Sequence, residues 1–130
     1  MREYMKIVEN VGPTKLYHGT RTEDVAQIMI DGLRPDRSQS SLNAVFLADS
    51  HGVADNYRFM HDVDDWTVLE IDMSQLDPAE LGPDNYELVD ALAHLGDERD
   101  WRDCSWQESL EICNQVAYHG IIPPSAICAV

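Results

Sequence analysis

The sequence is poor in basic residues. Only 9 Lys and Arg accompany 24 Asp and Glu, which gives the 130-residue chain a formal net charge of −15. A chain with this charge is repelled by phosphate backbones and by anionic lipid surfaces. We therefore expect no non-specific binding to nucleic acid and no electrostatic docking on membranes.

Long apolar runs and a disulfide pattern are also missing. No apolar stretch approaches the roughly 20 residues of a membrane span, and the first ten residues lack the apolar centre of a secretory signal. The three cysteines, Cys104, Cys113 and Cys128, have no C-x-x-C spacing. An odd number of cysteines without a secretory signal is typical of reduced thiols. We expect a cytoplasmic protein with no membrane association.

Several motifs of metal and nucleophilic chemistry are absent as well. The five histidines are scattered, without an H-x-x-x-H or Cys/His spacing, so we expect no metal. The sequence has no G-x-S-x-G elbow and no glycine-rich phosphate loop. Cys113 and Cys128 lie in apolar stretches, which predicts inert core thiols.

The residues that are present predict one globular domain. A hydrophobic fraction of 44% in a chain of this length supports a single core. Alternating and helical apolar spacings predict strands over 14–18, 44–48, 66–72, 115–118 and 125–130, and helices over 22–33, 50–60, 85–95 and from a capping box at 105–108. This order predicts a single compact α+β domain, residues 1–130, with a mixed, mostly antiparallel sheet.

The acidic residues are concentrated in one part of the chain. Residues 1–59 carry 8 acids and 7 bases, whereas residues 60–111 carry 16 acids and 2 bases. The stretch from about 78 to 113 is interpreted as an acidic helical insert, with a loop around Pro78 and Pro83. It is either a solvated face or a surface for a basic partner.

The first candidate site is Leu16-Tyr17-His18-Gly19-Thr20, at the end of the first predicted strand. An imidazole there can hydrogen-bond a ligand hydroxyl, and a glycine beside it lets the backbone approach a planar ligand closely. The alternative is a surface histidine that precedes a turn.

The order of several short motifs resembles a known family. YHGT at 17–20 is followed by VFLAD at 45–49, by a helix bearing Asn56-Tyr57 and by WTVLEID at 66–72. This series resembles the NAD-binding core of ADP-ribosyltransferases, above all the His-Tyr-Glu branch that includes poly(ADP-ribose) polymerases and diphtheria toxin. The segment 115–127 is similar to the last strands of DNA-ADP-ribosylating toxins and RNA 2′-phosphotransferases.

The resemblance implies roles for particular residues. His18 matches the histidine that hydrogen-bonds a ribose hydroxyl of NAD, and Gly19 matches the glycine whose backbone pairs with the nicotinamide carboxamide. Thr20 lies where a Ser or Thr assists that amide, and Tyr57 matches the aromatic that stacks on the nicotinamide ring. Arg21 is our candidate for contact with the NAD pyrophosphate, since a guanidinium suits phosphate.

Two positions depart from the family pattern. Phe46 stands at the triad tyrosine and keeps only an apolar wall. Gln115 stands at the catalytic glutamate, whose charge orients the ribose and stabilises positive charge at the anomeric carbon as nicotinamide leaves. Gln115 can hydrogen-bond but brings no charge. Among other acids, Glu70 and Glu111 are possible substitutes, whereas Glu108 is better explained by the capping box.

The resemblance thus implies an NAD-binding ADP-ribosyltransferase that transfers ADP-ribose to a macromolecular acceptor, most simply a protein, and releases nicotinamide. NAD is the expected substrate, and His18, Tyr57 and Gln115 are the expected catalytic residues. Three alternatives remain open. They are a catalytically weak NAD- or ADP-ribose-binding module, an acidic non-enzymatic inhibitor of the phage type, and an RNA 2′-phosphotransferase-like enzyme.

Overall fold

The structure is a computed structural model that describes residues 14–38, 42–60 and 64–129. These residues form an α+β domain, which confirms the predicted fold class. The strands are β1 (Lys15–Arg21), β2 (Val45–Ala48), β3 (Trp66–Asp72), β4 (Leu81–Pro83), β5 (Gln115–Tyr118) and β6 (Ile127–Ala129). The helices are α1 (Val25–Asp31), α2 (His51–Met60), α3 (Glu87–Leu95) and α4 (Trp106–Cys113).

The six strands form one sheet in the order β4-β5-β2-β1-β3-β6. Every pairing between the described strands is antiparallel. β1 and β3 are paired along their whole length, from Lys15 with Asp72 to Arg21 with Trp66. β1 and β2, by contrast, pair only where Tyr17 faces Ala48. The sheet therefore opens between its two central strands.

Side chains alternate between the two faces of the sheet, as the period of a strand requires. One face carries the main core, which includes Leu16, Leu47, Leu69, Ile71, Val116 and Ile122. The other face packs against α2 through a smaller cluster with Tyr17, Ala54, Val68 and Trp66. Residues from both faces of the sheet therefore border the opening between β1 and β2.

The acidic segment is built onto the β5 edge of the sheet. Leu88 and Leu92 of α3 form a small core with Cys104, and Ile112 and Cys113 of α4 pack against it, while β4 pairs with β5. The loop predicted around Pro83 is wrong at this point, because 81–83 is a strand. Among the described strands β4 is the terminal one of the sheet, and proline is tolerated there because one side of the strand pairs with none of the others.

Local signals explain most helix ends. Ser105 and Glu108 form the predicted capping box at the start of α4. Gly32 ends α1 with a φ of 83°, a left-handed value that favours glycine. The helix predicted over 22–33 begins as an α-helix only at Val25, and the Thr22 hydroxyl pairs with that of Thr67 at 2.7 Å.

Two further expectations concern the cysteines and membranes. Cys104 is buried and Cys113 partly buried, but Cys128 is exposed on β6, so its prediction as a core thiol is wrong. Burial raises the pKa of the Cys113 thiol, which disfavours the nucleophilic thiolate. Among the described residues, no helix combines the length and the apolar character that crossing a bilayer requires.

Candidate functional site

A cavity of about 810 Å³ occupies the opening of the sheet between β1 and β2. Its volume falls within the usual range for sites of small molecules and cofactors. Its walls come from β1, α1, β2, α2, β3, β5 and the start of α3. They include Tyr17, His18, Gly19, Thr20, Arg21, Arg34, Phe46, Tyr57, Trp66, Asn85, Glu87 and Gln115. All seven residues that the sequence proposed for the site therefore line one cavity.

His18 bridges the two strands where their ladder is interrupted. Its Nδ1 lies 2.7 Å from the Phe46 carbonyl oxygen. Because a carbonyl only accepts, Nδ1 carries the proton. Burial lowers the pKa of His18, which favours the neutral ring with Nε2 as an acceptor. His18 is thereby held in the tautomer that can receive a hydrogen bond from a ligand hydroxyl.

Gly19 has a packing reason to be glycine. A Cβ at this position would lie 2.4 Å from the Ala54 carbonyl oxygen and 2.6 Å from the Trp66 indole nitrogen. Those two atoms are themselves hydrogen-bonded at 3.1 Å. The missing side chain thus lets α2 pack closely on β1, beside the buried Thr20. This contact, and not only ligand approach, requires the glycine.

Tyr57 and Gln115 meet across the cavity from α2 and β5. The Gln115 side-chain amide donates to the Tyr57 hydroxyl. Burial raises the pKa of Tyr57, so the phenol keeps its proton. The backbone carbonyl of Gln115 accepts from Ser109 at 2.6 Å, which anchors this end of β5 to α4. Gln115 itself is buried.

The arginines are not equivalent. Arg34 is paired with Asp36 at 3.1 Å and Arg37 with Asp31 at 2.9 Å. Arg21 lines the cavity and is exposed, and it has no ion pair with any residue in the described ranges. Arg21 is therefore the best placed of the three for an anionic ligand.

The proposed substitute acids lie elsewhere. Glu70 forms an ion pair with Lys15 at 2.9 Å, and Glu111 is exposed on α4. Glu108 caps α4 and pairs with Arg99 at 2.8 Å. None of these three acids is among the described residues that line the cavity.

The sequence reasoning missed the start of α3. Asp84, Asn85 and Glu87 line the cavity, although they belong to the acidic segment that has no counterpart in the resemblance. The Asn85 side-chain oxygen is buried without a hydrogen-bond partner among the described residues. The one available sequence signal was the helix start itself, because Asp before a helix commonly binds the first free N–H groups.

Comparisons with known proteins bear on the fold only. No family model and no curated protein matches this chain. Among solved structures, the fold is similar to that of EcPltA, with a TM-score of 0.50 and 13% sequence identity. The match covers 89% of this chain and 73% of EcPltA.

Proposed function

We propose that the protein binds NAD in the cavity between β1 and β2 and transfers ADP-ribose from it, with release of nicotinamide. The observation that carries the proposal is the convergence of His18, Tyr57 and Gln115 on one cavity. They come from three distant segments, which the resemblance to ADP-ribosyltransferases had already selected.

The chemistry of the cavity suits NAD. The Nε2 acceptor of His18 matches a ribose hydroxyl, and the backbone at Gly19 offers amide partners to a carboxamide. The unpartnered Asn85 oxygen would accept from a ligand N–H or O–H, which relieves the cost of burying it alone. The pyrophosphate would lie towards Arg21.

The reaction breaks the bond between the ribose anomeric carbon and the nicotinamide nitrogen. The electron pair leaves with nicotinamide, which becomes neutral, and positive charge develops at the anomeric carbon. The acceptor oxygen or nitrogen then forms the new bond and loses its proton. We propose that the acceptor is a protein with a basic docking surface, since residues 60–111 carry most of the negative charge. A cytoplasmic location, where NAD and reduced thiols are available, belongs to the same proposal.

Nicotinamide release and NAD binding test this function together. The purified chain is incubated with NAD, release is followed by chromatography, and binding is measured by calorimetry. We expect His18→Ala to abolish release and to weaken NAD binding. His94→Ala is the matched control, because His94 is an exposed histidine on α3. No binding of the unmodified chain at millimolar NAD would refute the proposal.

A non-catalytic NAD-binding module is the second candidate. It is favoured by one observation, the neutral amide of Gln115 where the family has a carboxylate. Binding without release in the same assay would select it.

A further inference from the structure

The cavity contains a carboxylate that the resemblance did not identify. Gln115 is neutral, and the three acids considered from the sequence lie outside the cavity. Glu87, the first residue of α3, lines the same cavity and is only partly exposed.

A chain of hydrogen bonds fixes the backbone at Glu87. The Asp84 side chain accepts hydrogen bonds from the backbone N–H groups of Tyr86 and Glu87, both at 2.6 Å. The Asp84 backbone N–H in turn donates to the Ser109 hydroxyl at 3.0 Å. The same hydroxyl donates to the backbone carbonyl of Gln115. One fully buried serine thus ties the start of α3 to the start of β5.

Tyr57 connects Glu87 with Gln115. The Tyr57 hydroxyl accepts a hydrogen bond from the Gln115 amide. Its proton is therefore available for a hydrogen bond to the Glu87 carboxylate, and this bond lowers the pKa of Glu87. Two larger effects act on the pKa of Glu87 in the opposite direction. Burial, followed by the nearby charges of Asp84 and Asp90, raises the pKa of Glu87. A partly buried carboxylate of this kind gains from a neighbouring positive charge.

We propose that Glu87 supplies the negative charge that Gln115 lacks, and that it stabilises the positive anomeric carbon as nicotinamide leaves. The inference rests on the proposed function. When water is the acceptor, its oxygen bonds to the anomeric carbon and its proton passes to the Glu87 carboxylate and then to solvent. The products are ADP-ribose, nicotinamide and one proton.

The test compares Glu87→Gln with the unmodified chain and with Glu98→Gln. Glu98 lies in the same acidic segment but is exposed, and it is not among the cavity-lining residues in the described part of the chain. We expect Glu87→Gln to lower the rate of nicotinamide release about 10²-fold, because loss of one group that stabilises transition-state charge has an effect of that order. NAD affinity should stay within about threefold, since the charge acts on the transition state and not on bound NAD. Glu98→Gln should leave both quantities unchanged.

Three readouts separate a role in charge stabilisation from a role in folding. The rate of the unmodified chain should rise with pH along a limb whose apparent pKa lies above 4.5, and Glu87→Gln should lose that limb. In the NAD-free protein, carbon-detected NMR should show that the pKa of the Glu87 carboxyl is raised above the ordinary value of a glutamate. Combining Glu87→Gln with Gln115→Glu should recover activity, because the charge returns to the same cavity.

The outcomes distinguish the two levels of the proposal. If the unmodified chain releases nicotinamide and Glu87→Gln does so at more than half its rate, this inference is refuted and the proposed function stands. If the unmodified chain does not bind NAD, both are refuted.

Discussion

Gly19→Ala offers a direct test of how closely α2 packs on the site. The new Cβ would lie 2.4 Å from the Ala54 carbonyl oxygen and 2.6 Å from the Trp66 indole nitrogen. Neither group yields easily, since one is helix backbone and both belong to one hydrogen bond. Overpacking of this kind costs about 2–3 kcal/mol. For a chain of 130 residues, about 4 °C of melting temperature corresponds to 1 kcal/mol, so the melting temperature should fall by about 8–12 °C.

The matched control is the same chemical change in α2 itself. A Cβ at Gly52 would meet no atom of the described residues within 4 Å, and alanine is the better helix former. Gly52→Ala should therefore raise the melting temperature by about 2 °C, which corresponds to about 0.5 kcal/mol. Both variants are measured by circular dichroism. If Gly19→Ala melts within about 1 °C of the unmodified chain, which is about the precision of the measurement, the packing argument is refuted.

Two further predictions concern polar contacts around the site. Ser109→Ala removes the hydrogen-bond partner of the Asp84 N–H and of the Gln115 carbonyl, so the free energy of unfolding in a denaturant melt should fall by about 2–4 kcal/mol. Ser125→Ala, at an exposed serine, should lower it by less than about 1 kcal/mol, and equal losses for the two variants would contradict the prediction. Burial lowers the pKa of His18, so the unfolded chain takes up the proton first and stability falls as the pH drops below about 6.5. His18→Gln should reduce the drop in melting temperature between about pH 7.5 and 5.5 relative to the unmodified chain. Identical curves for the two proteins would contradict the neutral state of His18.

The fold class and most elements were predictable because their signals are local. Trp66–Asp72 alternates cleanly, and the capping box at Ser105 marks its own helix. β4 was not predictable in the same way. Its three residues Leu81–Pro83 have no strand pattern, and they become a strand only because β5 lies beside them.

In the candidate site, too, some residues could be predicted from local sequence and others could not. His18, Tyr57 and Gln115 could be selected from the sequence, because the motifs around them have a recognisable order. Glu87 could not be selected, because nothing local distinguishes it from the other acids between residues 60 and 111. Its place in the cavity depends on the contact between Asp84 and Ser109, which are 25 residues apart.

The sequence by itself therefore determined most of the element types, the α+β class and three of the residues that meet at the site, since periodicity and motif order are properties of neighbouring positions. Only the tertiary structure decided that the sheet opens between β1 and β2, that Gly19 is required by α2, and that the acidic segment brings the Glu87 carboxylate into the cavity. Each of these depends on backbone positions distant in sequence, where packing and buried hydrogen bonds select a single arrangement.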